Sequence, residues 1–421
     1  MPGTDLVLAI RSRRTTIQRG VFIQRDVRVR QLAFINGFRA LAAIWVVICH
    51  CLIWSAWDGP MPPSAKYAVD LFIIISGYLM MLQAHRRDLT EPMHVRQSQY
   101  RFYLRRFFRI APVYYFALAC AIASAPFFLG GYAVLHQQNP VFAGDEVYSP
   151  ANVVFTGKNI LLHATFLFGL LPDYAFSTFL PDWSISLEMQ FYAVFPLIYL
   201  FMRRLGTLRT VLYLCVPCVL LSVVLGDRHG PHGVVGLFIE PSFLPLKLAY
   251  FVAGMIIART GLEDASDLQK CGLWFLAITL LLGDVWMQRS NPLIVPGLAI
   301  AMLFATTFPR SRIRSLLDRL GSLRLVEFAS RMSYAVYLFH GFMVAGVGYF
   351  IFARPGFAGY STTWRATVML SIVIPGAYAI GWVVERFVES PGIALGHRLM
   401  TQRLPLPVAD RAVRSLWRSR L

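Results

Sequence analysis

Charge is scarce in this chain, and acid scarcer still. Of 421 residues 15% are charged, 57% are hydrophobic, and 22 Asp and Glu stand against 40 Lys and Arg. A water-soluble domain carries about 25% charged residues, so this much apolar sequence is not all hidden in a soluble core. Long polar/apolar alternation is missing, which excludes a transmembrane β-barrel. The 32 Phe and 18 Tyr exclude disorder. Six cysteines (Cys49, Cys51, Cys120, Cys215, Cys218, Cys271) lack metal-ligand spacing; they read as buried thiols, with no metal site and no disulfide framework. Heptads, solenoid periods and low-complexity tracts are absent. No signal peptide is expected, because a basic tail precedes an apolar run too long for an h-region. The connections are too short to hold a separate soluble core.

What is present is a series of apolar runs near the roughly 20 residues a spanning helix needs. Ten meet that length: 32–54, 67–84, 109–129, 183–202, 210–226, 243–259, 272–288, 292–309, 333–353 and 365–386. The run 159–172 is short and followed by prolines, and reads as a re-entrant or interfacial helix. The expected fold is all-α, a polytopic transmembrane bundle over 32–396 between basic tails at 1–31 and 397–421. Alternate connections carry 32 Lys and Arg on one side and six on the other. Short basic loops stay in the cytoplasm, so both termini are expected there, in a multi-pass cytoplasmic (inner) membrane protein. Dispersed over many helix ends, the basic residues form no continuous patch, which argues against nucleic acid as a partner.

Ionisable side chains within spans are costly and mark function by default. Arg39 and His50 share the first span, about 16 Å apart along its axis. Asp70 opens the second span, and Ser76-Gly77 follows, the glycine permitting close helix approach. Glu188 lies about 9 Å into the fourth. His50, Asp70 and Glu188 are therefore expected at one outer level. Arg101, Arg105, Arg106 and Arg109 lead into the third span, with Arg39 and His340 at a similar shallow inner depth. Guanidinium groups at the inner mouth of a polar core suit a phosphorylated ligand. Blander readings stand beside these: a topology anchor for the Arg105–Arg109 run, a structural His50–carboxylate pair, an interfacial Asp70–Lys66 bridge, interhelical hydrogen bonding for His340.

The motifs resemble the integral-membrane acyltransferase 3 family, which acetylates bacterial surface glycans, nodulation factors, exopolysaccharides and some macrolides. The pieces are Asn36-Gly37-Phe38-Arg39 leading to His50, Val69-Asp70-Leu71-Phe72 through Ser76-Gly77-Tyr78, and Arg106-Phe107-Phe108-Arg109. Trp183 through Glu188 to Tyr192, Ser333-Tyr334 through His340, and Val384-Glu385-Arg386 through Pro391 complete the set. Ile73 and Ser390 depart from the family pattern without removing an ionisable group.

The resemblance implies a bundle of about ten helices that uses an acyl-CoA donor, usually acetyl-CoA, with no permanently bound cofactor and with the motif arginine and histidine needed for activity. On that basis the CoA phosphates are expected on Arg105, Arg106 and Arg109, with Arg39 and His340 along the pantetheine arm. His50 is expected to be the general base, oriented by Glu188 or Asp70. Ser76 and Trp183, inside two of the motifs, count among the substrate-binding residues. The acceptor is a carbohydrate or glycolipid hydroxyl met at the outer connections 130–181 and 226–242, and polysaccharide-assembly proteins are possible partners. Direct transfer and an acetyl-His50 intermediate both stay open. A transporter or flippase of a polysaccharide precursor is the rival reading, and a scaffold for polysaccharide assembly the third.

Overall fold

A computed structural model describes residues 33–62, 64–140, 149–153, 155–225, 238, 241–262, 266–288 and 293–403. The basic tail expected at 1–31, the chain beyond Arg403 and most of the connection 226–242 lie outside the described residues. Among the described residues every regular element is a helix. Helix α1 (Ala33–Trp54) packs against α2 (Ala65–Arg87), α11 (Arg312–Gly321), α12 (Arg324–Val347) and α13 (Thr362–Val384). Around them stand α3 (Arg96–Ala123), α4 (Ala125–Gln137), α6 (Trp183–Arg204) and α8 (Leu248–Thr260). The remaining helices are α5 (Gly157–Ala164), α7 (Thr207–Leu225), α9 (Asp267–Gln288), α10 (Ile294–Thr307) and α14 (Ser390–Arg403).

Local chemistry sets several helix ends. Ser64, Thr156, Ser311 and Ser361 cap α2, α5, α11 and α13 with side-chain oxygens that accept backbone N–H groups. Basic residues close α2 (Arg86, Arg87), α6 (Arg203, Arg204) and α8 (Arg259), where they complement the negative end of the helix dipole. Polar contacts tie neighbouring helices together at this end of the bundle. Arg203 bridges Asp88 at 3.0 Å, Arg259 donates to Thr207 at 2.5 Å, and the Phe34 N–H donates to Asp318 at 3.1 Å. The bundle therefore has a basic end, where α1, α3 and α12 begin, and an opposite end where α2 and α6 begin.

Six described helical stretches are long and apolar enough to cross a membrane, or seven if the pair α10 and α11, bent by 107°, is one span. The apolar stretch Thr207–Cys218 of α7 and helix α8 (Leu248–Thr260) are shorter. The third span differs from expectation: α3 starts at Arg96, so the arginines belong to the helix itself, and a break at Ser124 before Pro126 begins α4. The segment 159–172 yields only the eight-residue α5 and then 3₁₀ turns. The boundary expected at 396 falls inside α14. Exposed apolar side chains such as Leu197, Leu212, Phe275, Trp364 and Trp382 suit lipid rather than water. The chain is a multi-pass membrane protein.

Gly77 and Gly254 let α2 and α8 meet at backbone distance: a Cβ on Gly77 would strike the Phe251 carbonyl oxygen, and one on Gly254 the Ile74 carbonyl oxygen. Beside this crossing, fully buried Asp70 meets Lys247 at 2.9 Å. Cys49, Cys51 and Cys215 are buried thiols as expected, whereas Cys271 is exposed.

Candidate functional site

Two cavities open along the axis of the bundle. The one at the basic end has a volume of about 460 Å³ and is lined by Arg39, Arg87, Arg105, Arg106 and Arg109, with Ser76, Gln83, Ser184, Glu188, Tyr192 and Ser333 among the other walls. The one at the opposite end, about 330 Å³, is walled by aromatic rings, Trp54, Tyr132, Phe176, Phe179, Trp183 and Tyr337, and holds His50, His340 and Lys66. Tyr337 lines both.

The arginines divide by partner. Arg105 bridges Glu91 at 2.6 Å, and Arg109 is held by Glu389, which a π-helical turn, Glu385–Glu389, carries in behind α13. Arg39 instead donates to the neutral Ser333 hydroxyl at 2.9 Å, and Arg106 to the Gln83 amide oxygen. Arg106 also lies over the rings of Phe102 and Tyr192, 5.8 and 5.6 Å from their centres. Glu91 itself collects Arg87, Arg101 and Arg105. Burial opposes its ionisation, but Arg105 and Arg101 outweigh that and hold its carboxyl below the usual range.

Glu188 belongs to this cavity and not to the histidines. Its Oε1 accepts from Ser76 at 2.8 Å and from Tyr192, one turn further along α6. Asp70 lines neither cavity, and Lys247 pairs with it. Of the three groups expected at one level, Glu188 thus stands in a different cavity from His50. Ser76 follows Asp70 by six residues, about 9 Å of helix, so a carboxylate bonded to Ser76 lies well away from Asp70.

His50 finds another imidazole. Its Nδ1 lies 2.6 Å from Nε2 of His340. The ring planes are within 14° of parallel, with centroids 4.9 Å apart. That separation exceeds the nitrogen–nitrogen distance by about two ring radii, so the rings meet edge to edge. Nδ1 of His340 faces the carbonyl oxygens of Tyr337 (2.7 Å) and Val336 (3.2 Å). A carbonyl only accepts, so this nitrogen carries a proton; in the neutral ring Nε2 then accepts, and Nδ1 of His50 donates to it. The chain of bonds leaves a lone pair on Nε2 of His50. His340 therefore does not sit at the shallow depth expected of it. α12 begins at Arg324, nine residues before the apolar run at Ser333, and places His340 about as far into its helix as His50 is into α1.

A second buried cluster was not anticipated. Asp182, just ahead of α6, accepts from Thr178 (2.9 Å) and Tyr114 (3.1 Å) and faces His163 at 3.6 Å. Burial raises its carboxyl above the ordinary range, although His163 and the hydrogen bonds oppose this. It fixes the Phe179–Trp183 segment that walls the aromatic cavity. Sequence reasoning also passed over Ser184, Tyr192, Ser333 and Tyr337; all four stand within the motifs, but they are uncharged and gave no cost-based signal.

A family model described as an acyltransferase domain matches residues 32–382. The chain is 25% identical over 412 residues to the acyltransferase MdmB of Streptomyces mycarofaciens, covering 91% of this chain and 98% of that protein. It is 28% identical over 318 residues to the exopolysaccharide production protein ExoZ of Rhizobium meliloti, covering 73% and 84%. It is 21% identical over 333 residues to the O-acetyltransferase OatA of Staphylococcus aureus, covering 74% and 50%. No solved structure matches the chain.

Proposed function

Because the chain belongs to the acyltransferase 3 family, we propose that it is an O-acyltransferase of the cytoplasmic membrane, moving an acetyl or related acyl group from acyl-CoA to a hydroxyl of a surface carbohydrate. The observation that carries this reading is the arrangement of the two cavities. A guanidinium-lined cavity and an aromatic one meet at Tyr337, with a hydrogen-bonded histidine pair on the aromatic side. Phosphates suit the first and sugar rings the second. The excess of Lys and Arg at the basic end supports a reading in which that end, and both termini, face the cytoplasm, where acyl-CoA is made.

Arg39 and Arg106, whose hydrogen bonds go to neutral oxygens, bind the donor most directly. Arg105 and Arg109, already paired with Glu91 and Glu389, shape the mouth. The pantetheine arm enters the cavity while the nucleotide stays at its open end, and the second oxygen of Glu188 accepts from an amide N–H of the arm. The acceptor hydroxyl gives its proton to Nε2 of His50, its oxygen attacks the thioester carbonyl, and collapse of the tetrahedral species expels the thiolate. The imidazolium returns the proton to sulfur, leaving an ester and free CoA thiol. His340 holds His50 in the tautomer that this requires. Transfer through an acetyl group on His50 uses the same residues in two steps.

Purified protein in detergent, given acetyl-CoA and an oligosaccharide from the host's own envelope, is expected to release thiol and to form a product heavier by one acetyl group. A flippase or a scaffold does neither. Comparing envelope polysaccharide by mass spectrometry from cells with and without the protein then identifies the acceptor.

A further inference from the structure

We propose that Tyr337 is a catalytic residue of this transfer: its phenol donates a hydrogen bond to the thioester carbonyl oxygen as that oxygen gains charge, and Ser184 positions the phenol. The inference rests on the acyl-transfer reading above and goes beyond it by naming the group that stabilises the tetrahedral species.

A donor entering from the arginine side and an acceptor held among the rings react only where the two cavities touch. Among the described residues Tyr337 alone lines both. Its backbone carbonyl accepts from Nδ1 of His340 at 2.7 Å, so one turn of α12 fixes the phenol and the histidine pair together. The ring is 6% exposed and packs edge-on against Phe72, with centroids 6.2 Å apart. A donor held this firmly needs little reorganisation when charge develops, which is what gives oxyanion donors their effect.

The phenol oxygen lies 2.9 Å from Ser184 Oγ, and either hydroxyl is able to donate. When Ser184 donates, the phenol turns its own hydrogen toward the substrate. Ser184 stands one turn before Glu188 on α6, so the helix that meets the pantetheine arm at Glu188 also orients the phenol. In the reaction the acceptor oxygen forms the new C–O bond, and the carbonyl π pair moves onto oxygen, where Tyr337 meets it. The pair returns as the C–S bond breaks, and the His50 imidazolium protonates the sulfur. Tyr337 keeps its proton throughout. A neutral donor also adds no further charge to an interior already holding several arginines.

The test is steady-state acyl transfer by the purified protein, comparing wild type with Tyr337→Phe, Ser184→Ala and the double variant. Tyr337→Phe is expected to lower kcat about 10²-fold to 10³-fold with little change in the KM for acyl-CoA. Ser184→Ala is expected to lower kcat less, and the double variant to resemble Tyr337→Phe, because the two hydroxyls act through one bond. Undiminished kcat in Tyr337→Phe, a loss confined to KM, or losses that multiply in the double variant overturn the assignment. Should Tyr337→Phe fail to fold, a fluorinated tyrosine at 337 keeps the shape and makes the phenol a stronger donor; a kcat that follows ring acidity supports the role, and an unaltered kcat refutes it. Wild-type protein inactive toward every acyl-CoA defeats the acyl-transfer reading itself. Active wild type with active Tyr337→Phe defeats only the role of Tyr337.

Discussion

His50 and His340 share a single in-plane hydrogen bond of 2.6 Å, although 290 residues separate them in sequence. Since His340 also donates to the Tyr337 carbonyl, the pair polarises in one direction and leaves the lone pair on Nε2 of His50. Replacing His340 by Ala removes the acceptor that fixes this tautomer, so kcat is expected to fall about 10²-fold with the protein still inserted. His340→Gln, whose amide oxygen reaches toward His50, is expected to regain part of that loss. Steady-state kinetics on the two purified variants check both outcomes.

Asp70 and Lys247 make an ion pair buried at both ends, 1% and 3% exposed. Removing one charge breaks the buried pair, and Asp70→Asn is expected to destabilise by about 3–5 kcal/mol. The double variant Asp70→Leu/Lys247→Met removes both charges of the pair and is expected to recover most of that stability together with acyl transfer. Thermal melts followed by size exclusion, with activity at a permissive temperature, separate this structural role from a catalytic one; an inactive but stable double variant restores Asp70 to the chemistry.

Arg106 and Arg105 adjoin in sequence and differ in partner. Arg106→Ala is expected to raise the KM for acyl-CoA about tenfold, the loss of one charge-assisted hydrogen bond, and to leave kcat nearly intact. Arg105→Ala acts through Glu91 and is expected to reduce thermal stability more than donor affinity. Donor titrations and melting curves on both variants check the contrast.

Glu91 carries the pH dependence of the basic end. Its carboxyl lies below the ordinary range in the folded protein because Arg105 and Arg101 outweigh its burial. A depressed folded pKa gives stability that is present above the ordinary carboxylate pKa, about 4.3, and is lost as pH falls through the lowered value. Wild type is therefore expected to lose melting temperature below about pH 4, and Glu91→Gln to start lower and to show a flatter acid limb. Melting curves across pH 3–7 test this, and parallel acid limbs in the two proteins contradict it.

Much of the architecture was readable because lipid imposes few choices. Long apolar runs, basic rims and the cost of a buried charge pointed to an all-helical membrane bundle and to Arg39, His50, Glu188 and His340. Depth was harder to read. The α12 helix starts in the polar stretch Arg324–Arg331, where hydropathy falls while helix continues, and missing those turns put His340 at the wrong level. Partner choice was not readable at all: Asp70 meets a lysine 177 positions away because Gly77 and Gly254 bring α2 and α8 together, and no local pattern encodes that. Hydroxyls such as those of Tyr337 and Ser184 cost little in a membrane, so only their shared place between two cavities marked them.

Acyl transfer by purified wild type and by His50→Ala, measured as thiol released from acyl-CoA and as ester formed on a carbohydrate acceptor, bears most directly on the histidine pair as the base between the two cavities. Wild type is expected to form both products in equal amounts, and His50→Ala to form neither while it inserts, purifies and melts like wild type. Ester formation by His50→Ala at the wild-type rate would show that the proton leaves by another route.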